Sequence, residues 1–182
     1  MLMSLDTHQS VYREKLLEHL LIGELLKHSW LFHKATLEVS QPSLDRAGHD
    51  VVLEANGVTR HVQLKTSRIG GATASQKVHL GLADKPSGCV IWTQFQESAE
   101  RDDLLLGPFH FFGEAPGKPL RRLDDLPIAR HTKANAEGIK AERPNIRVLA
   151  RSRFKSVSTI TELYLALFGY PRPTMAREPE NA

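Results

Sequence analysis

Cysteine is nearly absent from this chain: Cys89 is the only one in 182 residues. An intrachain disulfide is therefore impossible, and no paired-Cys zinc pattern exists. Cys89 lies in the apolar run Cys89-Val90-Ile91-Trp92 and reads as a small buried hydrophobe rather than a reactive thiol. Long apolar runs are also missing, and none approaches the ~18 residues of a membrane helix. The start Met1-Leu2-Met3-Ser4 lacks the basic and apolar parts of a signal peptide, so a cytoplasmic location is expected. No Gly-x-Ser-x-Gly elbow occurs, which argues against a serine hydrolase. Nine histidines are present, yet no His-Glu-x-x-His pattern, so a dedicated zinc site is not expected. The net charge of only +3 permits an anionic partner without requiring one.

The remaining composition is that of a globular protein, 41% hydrophobic and 25% charged, with enough chain to bury a core. Residues 1–170 read as a single domain, and the Pro-rich polar tail 171–182 as disordered. The clearest helix runs from Val11 to Trp30, with Leu17, Leu20, Leu21 and Leu25 forming an apolar stripe. Strands are expected at Ala35 to Val39, Asp50 to Glu54, Thr59 to Lys65, Gly88 to Phe95 and Leu104 to Phe112. Pro108 marks an edge or a bulge in the last of these. A short helix is expected at Lys77 to Ala83, a further strand at Ile146 to Ala150, and a final helix at Ser158 to Phe168. Thr159-Ile160-Thr161-Glu162 fits a capping box for that helix, and Gly169 a stop.

The most informative stretch begins at Gly48-His49-Asp50 and ends at Gln63-Leu64-Lys65. Asn56-Gly57 supplies a hairpin turn between its two strands. Side chains alternate along a strand, so Val62 and Leu64 face one way and His61, Gln63 and Lys65 the other. A lysine and an amide oxygen thus share a face, beside an aspartate that opens the neighbouring strand. Hard oxygen donors next to a lysine suit a divalent cation and a water nucleophile. His61, on the same face, is a candidate substrate contact, and loop residue Asp45 a candidate to replace or assist Asp50. Glu24 falls on the inward side of the first helix, where a carboxylate needs a cation or a basic partner such as Lys27 or Lys65. Glu18 is the alternative for the same role, on a more polar flank.

This constellation resembles the active site of the PD-(D/E)XK nuclease superfamily. Asp50 matches the aspartate, Gln63 the acidic position and Lys65 the lysine, while Glu24 fits the glutamate that many members carry on the preceding helix. The departure is Gln63, which keeps an oxygen ligand but withdraws one negative charge. The resemblance covers roughly Gly23 to Lys65. It implies a restriction-endonuclease-like α/β fold: a mixed central sheet flanked by helices, in the order α-β-β-β-α-β-β with a C-terminal helix. It also implies Mg²⁺ or Mn²⁺ held by Asp50, Gln63 and Glu24, with Lys65 assisting hydrolysis of a phosphodiester. The expected partner is nucleic acid, DNA in the first instance, with a homodimer also compatible. A degenerate member would bind nucleic acid or protein without cutting.

Charge distribution adds an independent signal. Between Arg121 and Lys155 stand ten basic and four acidic side chains, a local excess of six in a chain of net +3. Arg130, Lys133, Lys140 and Arg143 are the candidate phosphate contacts within it.

Overall fold

The computed structural model describes residues 3–42, 48–98, 100–134, 136 and 138–170, with side chains in the first helix from residue 9 onward. Asp45 and the tail 171–182 lie outside the described residues. Helix α1 spans Met3–His28 and passes into a π-helical turn, Ser29–His33. Its buried seam is Leu17, Leu21 and Leu25, four residues apart, while Leu20 is at the margin and 36% exposed. The seam is therefore narrower than the four-leucine stripe. At the π turn the Ser29 hydroxyl donates to the Ala35 carbonyl and lies 3.0 Å from the Tyr164 hydroxyl, which ties the end of α1 to the last helix.

Strands β1 (Glu38–Ser40), β2 (Val51–Ala55) and β3 (Val58–Arg68) follow. Asn56 and Gly57 both have positive φ, 55° and 72°, as the two-residue hairpin turn between β2 and β3 demands. The next segment departs from expectation. The short helix expected over residues 77–83 is only half there: β4 (Ser75–His79) takes its first half and leads into a short 3₁₀ helix, Leu80–Asp84. Gly81 weakens any α-helix there, and β4 gains an antiparallel partner far along the chain, β8 (Glu142–Ala150). Strand β5 (Gly88–Ser98) runs parallel to β3, and β6 (Asp103–Gly113) returns antiparallel to β5. The register shifts around Gly107-Pro108, so the proline sits at a bulge, and β6 is an interior strand. Strands β7 (Ile128–Arg130) and β8 form a hairpin, β9 (Lys155–Val157) adds to β6, and α2 (Ile160–Phe168) closes the described chain.

These strands make two sheets. The larger is mixed, in the order β1-β2-β3-β5-β6-β9, and the smaller is β4-β8-β7. Alternation along β5 separates the two cores. Cys89 and Ile91 pack with Leu21, Leu25, Leu163 and Leu167, under the helices. Val90 and Trp92 pack with Val78, Leu82 and Leu149, under the smaller sheet. The helices thus cover one face of the large sheet and three strands cover the other. Cys89 is fully buried, and burial pushes its thiol up to about 12, which makes it a packing residue.

Helix α2 is capped as expected at its start. Glu162 N–H donates to the Thr159 hydroxyl at 3.1 Å, while the Glu162 carboxylate accepts from Ser158 N–H at 2.8 Å. Its other end is held by a group that reads in sequence as an ordinary hairpin arginine. Arg60 is fully buried and donates to the carbonyls of Ala166, Leu167 and Glu114, so its charge satisfies the end of the helix. Among the described residues, no helix is long and apolar enough to cross a membrane.

Candidate active site and nucleic-acid interface

Asp50 stands where β2 and β3 part. Its N–H donates to the Val62 carbonyl at 2.8 Å, and its carboxylate Oδ2 accepts from Leu64 N–H at 2.6 Å. The side chain thereby takes the next rung of the ladder, which the departing backbone cannot fill. Beyond that rung, Leu64 to Arg68 has β5 as its only strand partner among the described residues. Gly48 fixes this corner. It has φ of 72°, and a Cβ there would collide with His79, so only glycine brings the start of β2 against β4.

Along the open edge of β3 lies a cleft of about 360 Å³ between α1, the second half of β3 and the middle of β5. Glu14, Lys15, Glu18, Asp50, Lys65, Thr66, Gln76 and Thr93 line its polar part. Two of the four expected catalytic residues, Asp50 and Lys65, share this cleft.

Glu24 does not join them. It pairs with Lys27 at 2.6 Å and borders a separate groove with Leu20, Leu104 and Phe109. Glu18 occupies the cleft instead. The reason is rotation of the helix: with Leu17, Leu21 and Leu25 as the buried seam, Glu18 and Glu24 fall on opposite flanks. Glu18 is only 9% exposed, pairs with Lys15 at 3.0 Å and accepts from the Gln41 amide at 2.6 Å. A nearly buried carboxylate held by two donors keeps a fixed direction.

Gln63 is on the face predicted by alternation but is 7% exposed, and its Oε1 accepts from His79 N–H at 3.2 Å. It joins the large sheet to β4 and is not among the residues lining the cleft. His61 also stays outside the cleft lining, its Nδ1 2.8 Å from the Pro86 carbonyl and its ring against His49. Among the described residues, no three His, Cys, Asp or Glu side chains converge as a metal site. The oxygen donors that do line the cleft include the carboxylates of Asp50 and Glu18.

The four candidate phosphate contacts all fall on one hairpin. Arg130 ends β7, Arg143 lies on β8 opposite Ala129, and Lys133 and Lys140 lie in the exposed loop between them. Arg130 is 66% exposed and pairs loosely with Glu142 at 3.5 Å. Other members of the basic segment have internal duties. Arg147 is buried and donates to the Pro144 carbonyl, while Arg151 lies over the Trp92 ring at 4.7 Å and donates to the Thr73 carbonyl. Arg121, Arg122, Arg153 and Lys155 are exposed away from the hairpin, so the exposed basic surface is divided between the hairpin and its surroundings. Comparison with protein-family models, curated proteins and solved structures finds no match to this chain.

Proposed function

We propose that this chain is a restriction-endonuclease-like, metal-dependent nuclease that hydrolyses phosphodiester bonds of nucleic acid, with DNA as the expected substrate. The observation that carries this reading is the meeting of Asp50, Lys65 and Glu18 in one cleft at the open edge of β3. The order helix, hairpin, then a parallel strand, with Asp50 opening β2 and Lys65 on β3, supports the resemblance to the PD-(D/E)XK superfamily.

The chemistry of the donor set fits Mg²⁺ or Mn²⁺. Mg²⁺ is bound through one or two carboxylates together with water and substrate phosphate, and does not need a cage of protein ligands. Asp50 and Glu18 are the carboxylates that would hold it. A bound cation supplies charge neutralisation at the scissile phosphate and a water of lowered pKa. The Lys65 ammonium offsets the negative charge that builds up on the phosphate during attack. Gln63 acts indirectly: its bond to His79 N–H fixes the face of β3 from which Lys65 projects. The β7–β8 hairpin grips the phosphate backbone away from the reacting centre.

A second reading has its own observation. The Gln63 amide oxygen already accepts from His79, so the position that is acidic in the superfamily adds no charge to the cleft. On that reading the protein binds nucleic acid without cutting it. Nicking of supercoiled plasmid with Mg²⁺ or Mn²⁺ separates the two. The parent should nick, and Lys65→Ala should keep its fold and its binding but lose nicking. Retention of plasmid without nicking by the parent would favour the binding module.

A further inference from the structure

Thr93 stands within β5, 2% exposed, and its Oγ1 is buried without a hydrogen-bond partner among the described residues. It also lines the cleft that holds Asp50 and Lys65. A hydroxyl removed from bulk water and left unpaired costs stability, because it forfeits the hydrogen bonds it made in the unfolded chain. Valine has the same shape and an equal liking for strands, and would avoid that cost. A partner arriving from outside the protein would offset that cost, and the cleft gives it a way in.

The surroundings specify that partner. Thr66 is the cross-strand neighbour of Thr93 in the parallel β3–β5 ladder, so two hydroxyl-bearing side chains stand together on the α1 side of the sheet. Lys65 alternates to the other face, but β3 has an open edge here, and side chains from both faces line the same cleft. A hydroxyl donor and an ammonium lining one cleft suit a singly charged phosphate diester. Threonine hydroxyls are ordinary phosphate contacts, and a bond to a charged oxygen is stronger than a neutral one.

We infer that Thr93, with Thr66 beside it, donates its hydroxyl to a non-bridging oxygen of a nucleic-acid phosphodiester seated in the cleft. The contact sets the depth of the phosphate against the sheet and turns it towards Lys65. This inference rests on the nuclease reading for the location of the scissile phosphate, but the contact itself requires only that a phosphodiester enters the cleft.

The test uses the full chain as parent, Thr93→Val and Thr93→Ser. Three quantities are measured: the melting temperature, affinity for a short DNA duplex with Ca²⁺ present and the duplex recovered intact, and plasmid nicking with Mg²⁺ or Mn²⁺. Thr93→Val should melt at the parent's temperature or higher. It should bind the duplex on the order of 10-fold more weakly and nick at least as much more slowly, the loss of one hydrogen bond to a charged oxygen. Thr93→Ser should restore both. If the parent binds but never nicks, the nuclease reading fails, while weaker binding by Thr93→Val still supports the phosphate contact. Affinity and nicking equal to the parent's, with a raised melting temperature, would overturn the inference and make the hydroxyl a mere orphan of the core. Should Thr93→Val not fold, Thr93→Ala against Thr93→Ser carries the same comparison, and equal affinities there would overturn it too.

Discussion

The cleft beside α1 and the β7–β8 hairpin hold their charges in opposite ways. In the cleft, Glu18 is 9% exposed and is fixed by Lys15 and Gln41, while the Asp50 carboxylate takes a backbone N–H at 2.6 Å. On the hairpin, Arg130 is 66% exposed, its pairing with Glu142 stretches to 3.5 Å, and Lys133 and Lys140 stand in solvent. Charges that are buried and bonded have one direction, which is what chemistry at a single phosphorus atom requires. Exposed charges on long flexible stems supply attraction without direction, which suits a backbone of repeating phosphates. On the proposed function the two regions divide reaction from grip, and substitutions in each should fail differently.

The largest effect should come from the cleft. Lys65→Ala is expected to lower nicking by on the order of 100-fold, the usual loss when one group that stabilises developing charge is removed. Its melting temperature and duplex affinity should stay close to the parent's. Next come the two helix glutamates, which test the rotation of α1. Glu18→Gln should cost roughly 10-fold to 100-fold in nicking and weaken Mn²⁺ binding measured by calorimetry. Glu24→Gln should leave both unchanged, since its carboxylate meets Lys27 in another groove. The reverse result would return the metal-binding role to Glu24 and break the assignment of the cleft.

The pattern of success and failure in reading the sequence follows the range of the interactions involved. The β2–β3 hairpin was legible because its signals are local: alternation in Val62-Gln63-Leu64-Lys65 and an Asn56-Gly57 turn with positive φ at both residues. Helix α2 was legible for the same reason, through Thr159, Glu162 and Gly169. The choice between Glu18 and Glu24 was not, because four leucines fit a wide stripe and only packing against the sheet selects Leu17, Leu21 and Leu25. Strand β4 escaped notice because its pairing partner, β8, lies about seventy residues away. Arg60 and Thr93 are invisible in sequence for a related reason. Each gains its role from strand register and from elements distant in the chain, the carbonyls of α2 in one case and the cleft in the other.

A smaller effect is expected from the hairpin, and it differs in kind. If Lys133 and Lys140 neutralise phosphates, binding releases condensed counterions, and log affinity falls with log salt by roughly 0.9 per phosphate on duplex DNA. Changing both residues to Ala should flatten that slope by about two such units and weaken unrelated duplex sequences alike. Nicking at saturating DNA should be unchanged, which distinguishes grip from reaction. An unaltered slope and affinity would make the hairpin charges a solvated face.

The smallest effect concerns stability and lies in neither region. His28, 3% exposed at the end of α1, packs against Phe32, His33 and Tyr164, and its Nε2 is buried without a partner among the described residues. Burial, and then repulsion from His33, hold its pKa below the ordinary histidine value of 6.5. The unfolded chain therefore takes up this proton before the folded one does, and stability rises with pH wherever that difference persists. Above about pH 6.5 both states leave the ring neutral and there is no penalty. As pH falls below that value and through the lowered folded pKa, stability should decline, with a slope under about 1.4 kcal/mol per pH unit for this single proton. Denaturation midpoints measured from about pH 7.5 down to 5.5, above the main range of carboxylate titration, should show the decline in the parent. Replacing His28 with Leu should make it shallower, with His110, whose pKa burial also lowers, keeping part of it, and the same substitution should leave nicking and duplex affinity untouched, because this ring touches neither the cleft nor the hairpin.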